Sequence, residues 1–119
     1  MKLNKLVPLF TVKSIAPLEA FYVAHFGLSV TMRTDGYLHM SGGDGAEVAF
    51  MSEDAEAPRA CSGEGVTLCL EVADVDAEAA RLLQAGLPIV TPLQDNPWGD
   101  RSIIVRDPVG IHVYVYQLK

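Results

Sequence analysis

The stretch Val66-Thr67-Leu68-Cys69-Leu70-Glu71-Val72 alternates in character, and Asp74 and Gly86 bracket a helical pattern directly after it. A period of two marks a strand with two unlike faces. Asp74 has the short acceptor side chain that an N-cap needs, and Asp76 and Glu78 suit the positive end of a helix. Val75, Ala79, Leu82 and Leu83 form its apolar face, and Gly86 closes it. The same signals occur earlier in the chain. Leu6-Val7-Pro8-Leu9-Phe10-Thr11-Val12 is rich in strand formers, and its proline suits an edge strand. Ser14 is the expected cap, Pro17 is allowed in the first turn, and Gly27 ends the run. Between them Leu18, Phe21, Tyr22, His25 and Phe26 keep helical spacing. The offsets agree: Val12 precedes Ser14 by two positions, as Val72 precedes Asp74, and the two caps are sixty residues apart. An internal duplication explains this.

Three strand candidates follow each helix. In the first half these are Leu28 to Arg33, Tyr37 to Ser41 and Glu47 to Met51, separated by glycine-rich turns. In the second half they are Pro88 to Thr91, Ser102 to Arg106 and Ile111 to Gln117, with Asp107-Pro108-Val109-Gly110 as a turn. The expected fold class is α+β: two tandem βαβββ modules over residues 5–52 and 65–119. Residues 53–64, rich in Glu, Ala, Pro, Ser and Gly, form the expected linker.

Half of the 119 residues are hydrophobic and 20% are charged, the balance of a folded globular chain. No apolar run approaches the roughly 20 residues of a membrane span. The N-terminus lacks the apolar core of a secretory signal, so the expected compartment is the cytoplasm. A net charge of −6 disfavours a nucleic-acid partner and suits a cationic ligand. Cys61 and Cys69 are too few for a disulfide framework; Cys69 is expected to be a small buried hydrophobe and Cys61 a loop spectator.

The run Asn96-Pro97-Trp98-Gly99-Asp100-Arg101, a short strand, Asp107-Pro108-Val109-Gly110 and a last strand resemble the C-terminal signature of the vicinal-oxygen-chelate superfamily. That superfamily includes glyoxalase I, extradiol dioxygenases and the bleomycin-resistance proteins. Phe21-Tyr22 followed by Phe26-Gly27-Leu28 is similar to its first-helix motif. The resemblance covers nearly the whole chain as a single domain and implies curved mixed sheets around a cavity, in a homodimer. It fixes the fold more firmly than the chemistry, because one fold hosts many reactions.

Enzymes of the superfamily hold a divalent metal with His, Glu or Gln side chains from both halves. Carried onto this chain, the resemblance puts the four ligand positions at Val7, Ala49, Thr67 and Tyr114. These side chains do not make a zinc, nickel or iron site. The resemblance therefore points toward the metal-free, bleomycin-resistance-like branch, with no cofactor. A relocated site of His39, His112 and Glu47 is the alternative, and His25 on the first helix is read as structural.

If Val7, Thr67 and Tyr114 face a cavity, alternation turns Tyr37, His39, Glu47, Glu71, Cys69, His112 and Tyr116 the same way. The apolar Leu38, Met40, Val48, Phe50, Val113 and Val115 then face the helices. The expected ligand-binding residues are Tyr37, His39, Glu47, Trp98, Arg101, His112, Tyr114 and Tyr116. Aromatic rings with a few polar groups suit a planar or partly cationic organic molecule. Trp98 either stacks on that ligand or anchors its loop on a neighbouring subunit. Arg101 either meets a ligand or inward carboxylate, or pairs structurally with Asp107 or Glu71. The expected function is metal-independent sequestration of a hydrophobic or cationic compound. The alternative is a lyase, isomerase or dioxygenase-type enzyme using relocated metal or metal-free acid–base residues.

Overall fold

The structure is a computed structural model that describes residues 1–54 and 59–119; residues 55–58 of the expected linker lie outside the described residues. It divides into two compact units, Met1–Ser62 and Gly63–Lys119.

The first unit runs β1 (Leu9–Val12), α1 (Ala16–Phe26), β2 (Ser29–Arg33), β3 (Tyr37–Ser41) and β4 (Glu47–Ser52). Its sheet has the order β1-β4-β3-β2, with β1 parallel to β4 and the other pairs antiparallel. The first strand is shorter than its apolar run, because Pro8 has no N–H to donate; its carbonyl still accepts from Ala49 N at 2.9 Å. Ser14 does not cap α1. The cap position is Ile15, without a side-chain hydrogen bond, and Ile15 is only 3% exposed. Burial of Ile15 fixes the entry into the helix. Gly27 closes α1 at a φ of 64°, where a side chain would be strained.

α1 covers one face of this sheet. Tyr22 stacks on Phe50 with ring centroids 5.8 Å apart, over a core of Val12, Leu18, Phe21, Leu38, Met40 and Val48. Burying such side chains contributes about 1.5–3 kcal/mol each before conformational entropy is counted.

The second unit repeats the plan: β5 (Thr67–Glu71), α2 (Val75–Gln84), β6 (Ile89–Asp95), β7 (Asp100–Arg106) and β8 (His112–Leu118). The sheet order is β5-β8-β7-β6, and again the first and last strands are parallel. Asp74 caps α2, accepting from Ala77 N at 3.1 Å. Val75, Ala79 and Leu82 are buried with Ile103, Val105, Ile111, Val113 and Val115, whereas Leu83 is exposed. β6 extends past Thr91 through Pro92 to Asp95. An edge strand with register shifts between Ile89 and Thr91 and between Thr91 and Gln94 tolerates the missing N–H.

Candidate functional site

In each unit the sheet face away from its helix carries the polar and aromatic side chains. Register assigns them. On the first sheet Leu9 pairs with Ala49, His39 with Ala49, Tyr37 with Met51 and Ser41 with Glu47. Directly opposed residues share a face, so Tyr37, His39 and Glu47 lie together, opposite the α1 face that holds Leu38, Met40 and Phe50.

There they form a chain of contacts. The Tyr37 hydroxyl lies 3.2 Å from His39 Nδ1, and His39 Nε2 lies 2.6 Å from Glu47 Oε1. Lys5 Nζ reaches the same carboxylate oxygen at 3.1 Å. The hydrogen bond from His39 and the one from the Lys5 ammonium hold the Glu47 carboxyl below its ordinary value. Lys5 had no role in the sequence reading, because an N-terminal lysine carries no pattern of its own.

On the second sheet Thr67 pairs with His112, Cys69 with Tyr114 and Glu71 with Tyr116. Ser102 faces Tyr116 across the other side of β8, Ile104 faces Tyr114 and Arg106 faces His112. This helix-free face is organised around a buried cluster that sequence reasoning missed. Asn96 Nδ2 donates to Asp100 Oδ1 at 2.7 Å and to Ser102 Oγ at 2.8 Å. The Tyr114 hydroxyl donates to Asp100 Oδ2 at 2.8 Å and accepts from Trp98 Nε1 at 3.1 Å. Asp100 and Asn96 are 6% and 8% exposed, while Trp98 is 69% exposed. Burial pushes the Asp100 carboxyl up, but hydrogen bonds from Asn96, Tyr114 and Trp98 outweigh it and leave the group below its ordinary value. Asn96 and Asp100 stand in the quoted signature run. Their closure of a tight turn, with Asn96 N donating to Asp100 O, was the missed signal.

Tyr116 and His112 lie on the same face as Tyr114. The Tyr116 hydroxyl donates to Glu71 Oε1 at 3.3 Å, and burial together with the Glu71 charge pushes its phenol up. His112 is half-buried between Thr67 and Arg106 in the register. Arg101 is placed elsewhere. It pairs with Gln117, on the α2 side of β7, and its guanidinium bridges Asp76 at 3.0 Å and Asp95 at 3.3 Å. Its structural partners are therefore not Asp107 or Glu71. Asp107 instead accepts from the N–H groups of Val109, Gly110 and Ile111 and so fixes its own turn. Cys69 corrects another expectation. It is exposed, because β5 is an edge strand and residue 69 points away from α2.

The residues present do not fit the metal that the fold implies. Ala49 and Val7 have no donor atoms, and the Tyr114 oxygen is engaged by Asp100, Trp98 and Asn96. The His39–Glu47 pair offers two donors, but they are already spent on each other, with His39 Nε2 and Lys5 Nζ both on Glu47 Oε1. Among the described residues no group of three or more His, Cys, Asp or Glu side chains is arranged to hold a metal ion. Nor, among the described residues, is any helix long and apolar enough to cross a membrane.

Two fused modules, each with a sheet face free of its helix and rich in aromatic and polar groups, define the vicinal-oxygen-chelate fold. The chain belongs to the Glyoxalase/Bleomycin resistance protein/Dioxygenase superfamily, whose family model matches residues 2–115. It is similar to the crystal structure of TioX from Micromonospora sp. ML1, with a TM-score of 0.78 and 25% identity over 98% of this chain and 100% of that one. A bleomycin-binding protein from Streptomyces verticillus, solved with copper(II)-bleomycin, superposes with a TM-score of 0.72 and 21% identity over 97% of this chain and 96% of that one. At that identity the likeness is one of fold. The uncharacterized protein Mb0911c of Mycobacterium bovis is 49% identical over 55 residues, which are 46% of this chain and 36% of that protein. The match thus spans about a third of that relative.

Proposed function

We propose that this chain is a metal-independent small-molecule binding protein that sequesters a hydrophobic or cationic compound. In this reading it acts as a cytoplasmic homodimer in the manner of the bleomycin-resistance proteins. The observation that carries the reading is the occupancy of the ligand positions. Where the superfamily's enzymes would place metal donors, this chain has Val7, Ala49, Thr67 and a Tyr114 hydroxyl already committed to Asp100. What remains on the helix-free face of the second sheet is recognition chemistry: the exposed Trp98, the paired rings of Tyr114 and Tyr116 at 5.6 Å, and the carboxylate of Glu71. Aromatic faces beside carboxylates favour an organic cation. The bleomycin-binding neighbour supports an extended organic molecule as the ligand class.

The test is metal analysis of natively purified protein, with titration of metal-free bleomycin followed by Trp98 emission and sedimentation to give the oligomeric state. Substoichiometric metal with saturable quenching is expected. A full equivalent of metal ligated by the chain would overturn the proposal.

The hydrogen-bonded Tyr37–His39–Glu47 chain supports a second reading, metal-free acid–base catalysis, since an imidazole oriented by a carboxylate is a common general base. It predicts turnover that His39→Ala abolishes, whereas sequestration predicts a change in affinity alone.

A further inference from the structure

We propose that Tyr37, His39 and Glu47 form a one-directional hydrogen-bond relay that leaves the Tyr37 oxygen as an acceptor. The first sheet would then take its ligand through the N–H of a cationic amine or amidine. The inference rests on the small-molecule-binding reading above and assigns the polar end of the ligand to a particular oxygen.

The direction follows from what each atom can do. An ionised carboxylate only accepts, so the 2.6 Å contact between His39 Nε2 and Glu47 Oε1 places a proton on Nε2. A neutral imidazole protonated there has a lone pair at Nδ1. The phenol 3.2 Å away must then donate its O–H to Nδ1. Its own proton is thereby turned away from the ligand, and its remaining lone pairs are strengthened as acceptors by the cooperativity of the chain. The hydrogen bond from His39 and the Lys5 ammonium favour the carboxylate form of Glu47, which keeps the proton of this contact on Nε2.

Among the described residues, the groups that meet the imidazole are few. From β4 it meets Glu47, with Lys5 of the N-terminal segment behind it, and from its own strand Tyr37. From β2 the register brings Met32, and Thr31 Oγ1 donates to the His39 carbonyl at 3.1 Å. A ligand with only acceptor atoms would set lone pair against lone pair at Tyr37, and a site built for one polarity rejects the other strongly. The net charge of −6 adds a general preference for cations.

The experiment uses the full chain with ¹⁵N-labelled histidine in mildly alkaline buffer. The ring nitrogens report the His39 tautomer, and benzamidine and benzoate serve as ring-matched probes. The relay predicts a neutral His39 protonated on Nε2. It also predicts a response of its ring signals to benzamidine at concentrations at least about tenfold below any response to benzoate. Tyr37→Phe, with its fold checked by the amide spectrum, should remove that preference. A neutral Nδ1–H tautomer or a doubly protonated ring would overturn the proposal. So would equal responses to the two probes, no response to benzamidine, or an unchanged preference in Tyr37→Phe. These failures are separable from failure of the binding reading. A chain-bound metal found by analysis sinks that reading, whereas a wrong tautomer in metal-free protein sinks the relay alone.

Discussion

The Tyr114 hydroxyl donates to Asp100 Oδ2 at 2.8 Å while accepting from Trp98 Nε1 at 3.1 Å, so one phenol oxygen ties a buried carboxylate to an exposed indole. Trp98 is the one tryptophan in the sequence, which makes its emission a direct report on this link. Tyr114→Phe keeps the ring and removes the oxygen. The expected result is a folded protein in which acrylamide quenches Trp98 more readily and its emission anisotropy falls. Unchanged quenching would show that something other than the Tyr114 hydroxyl fixes the indole.

The same cluster sets an acid limb. Burial raises the Asp100 carboxyl, but the hydrogen bonds from Asn96, Tyr114 and Trp98 leave it below its ordinary value of 3.8. A group with a depressed folded-state pKa contributes stability that is fully present above the unfolded value. That stability is lost as pH falls through the folded one. Stability should therefore decline as pH drops below 3.8. Glu47, depressed by the hydrogen bonds it accepts from His39 and Lys5, adds a similar loss below its ordinary value of 4.5. Urea unfolding at a series of pH values would show a shallower acid decline in Asp100→Asn than in the parent chain.

Gly63 is held where a side chain cannot go. Its φ is +86°, and a Cβ placed there would lie 2.3 Å from the backbone carbon of Gly110. Since both neighbours are backbone, neither a rotamer change nor a small shift of a side chain relieves the clash. Gly63→Ala should cost more than about 1 kcal/mol of unfolding free energy. Gly36→Ala, where a Cβ meets nothing within 4 Å, should stay within about 0.5 kcal/mol. Equal midpoints for the two variants in urea would refute the account.

Much of this architecture was legible in the sequence because the duplication states each pattern twice. The period-two runs around Leu38 and Val113 and the capped helix after Asp74 follow local rules that tertiary packing reinforced. The faces of Tyr37, His39, Glu47, His112, Tyr114 and Tyr116 followed from alternation alone. Arg101 did not, because its strand begins at Asp100 and its side chain answers to Asp76 and Asp95, residues on other elements. The Asn96–Asp100–Ser102–Tyr114 cluster was hidden for a related reason. Its members lie on the tight turn, β7 and β8, and only the assembled sheet brings their atoms within hydrogen-bonding distance.

The duplication also misled at one point, and this gives a paired prediction. Ser14 and Asp74 occupy equivalent positions, yet Asp74 accepts from Ala77 N at 3.1 Å while α1 starts at Ile15 with no side-chain cap. Asp74→Ala should lower stability by about 1 kcal/mol, the usual worth of an N-cap. Ser14→Ala should change it by less than about 0.5 kcal/mol. Denaturant midpoints measured side by side decide the matter, and equal losses would mean that Ser14 does cap α1.

Cys69 provides a probe of where a ligand sits. It is exposed on β5 and directly opposes Tyr114, whereas Cys61 is half-buried and its N–H donates to Thr11 O. An accessible thiol reacts as its thiolate forms, so brief treatment with N-ethylmaleimide should label Cys69 well ahead of Cys61. The label would then stand beside Tyr114 and Tyr116 on the helix-free face of the second sheet. A ligand seated there must cover the thiol, and its rate of labelling, read by mass spectrometry, should fall as the ligand is added. Labelling of Cys69 that is indifferent to a saturating ligand would remove the second sheet from the binding surface.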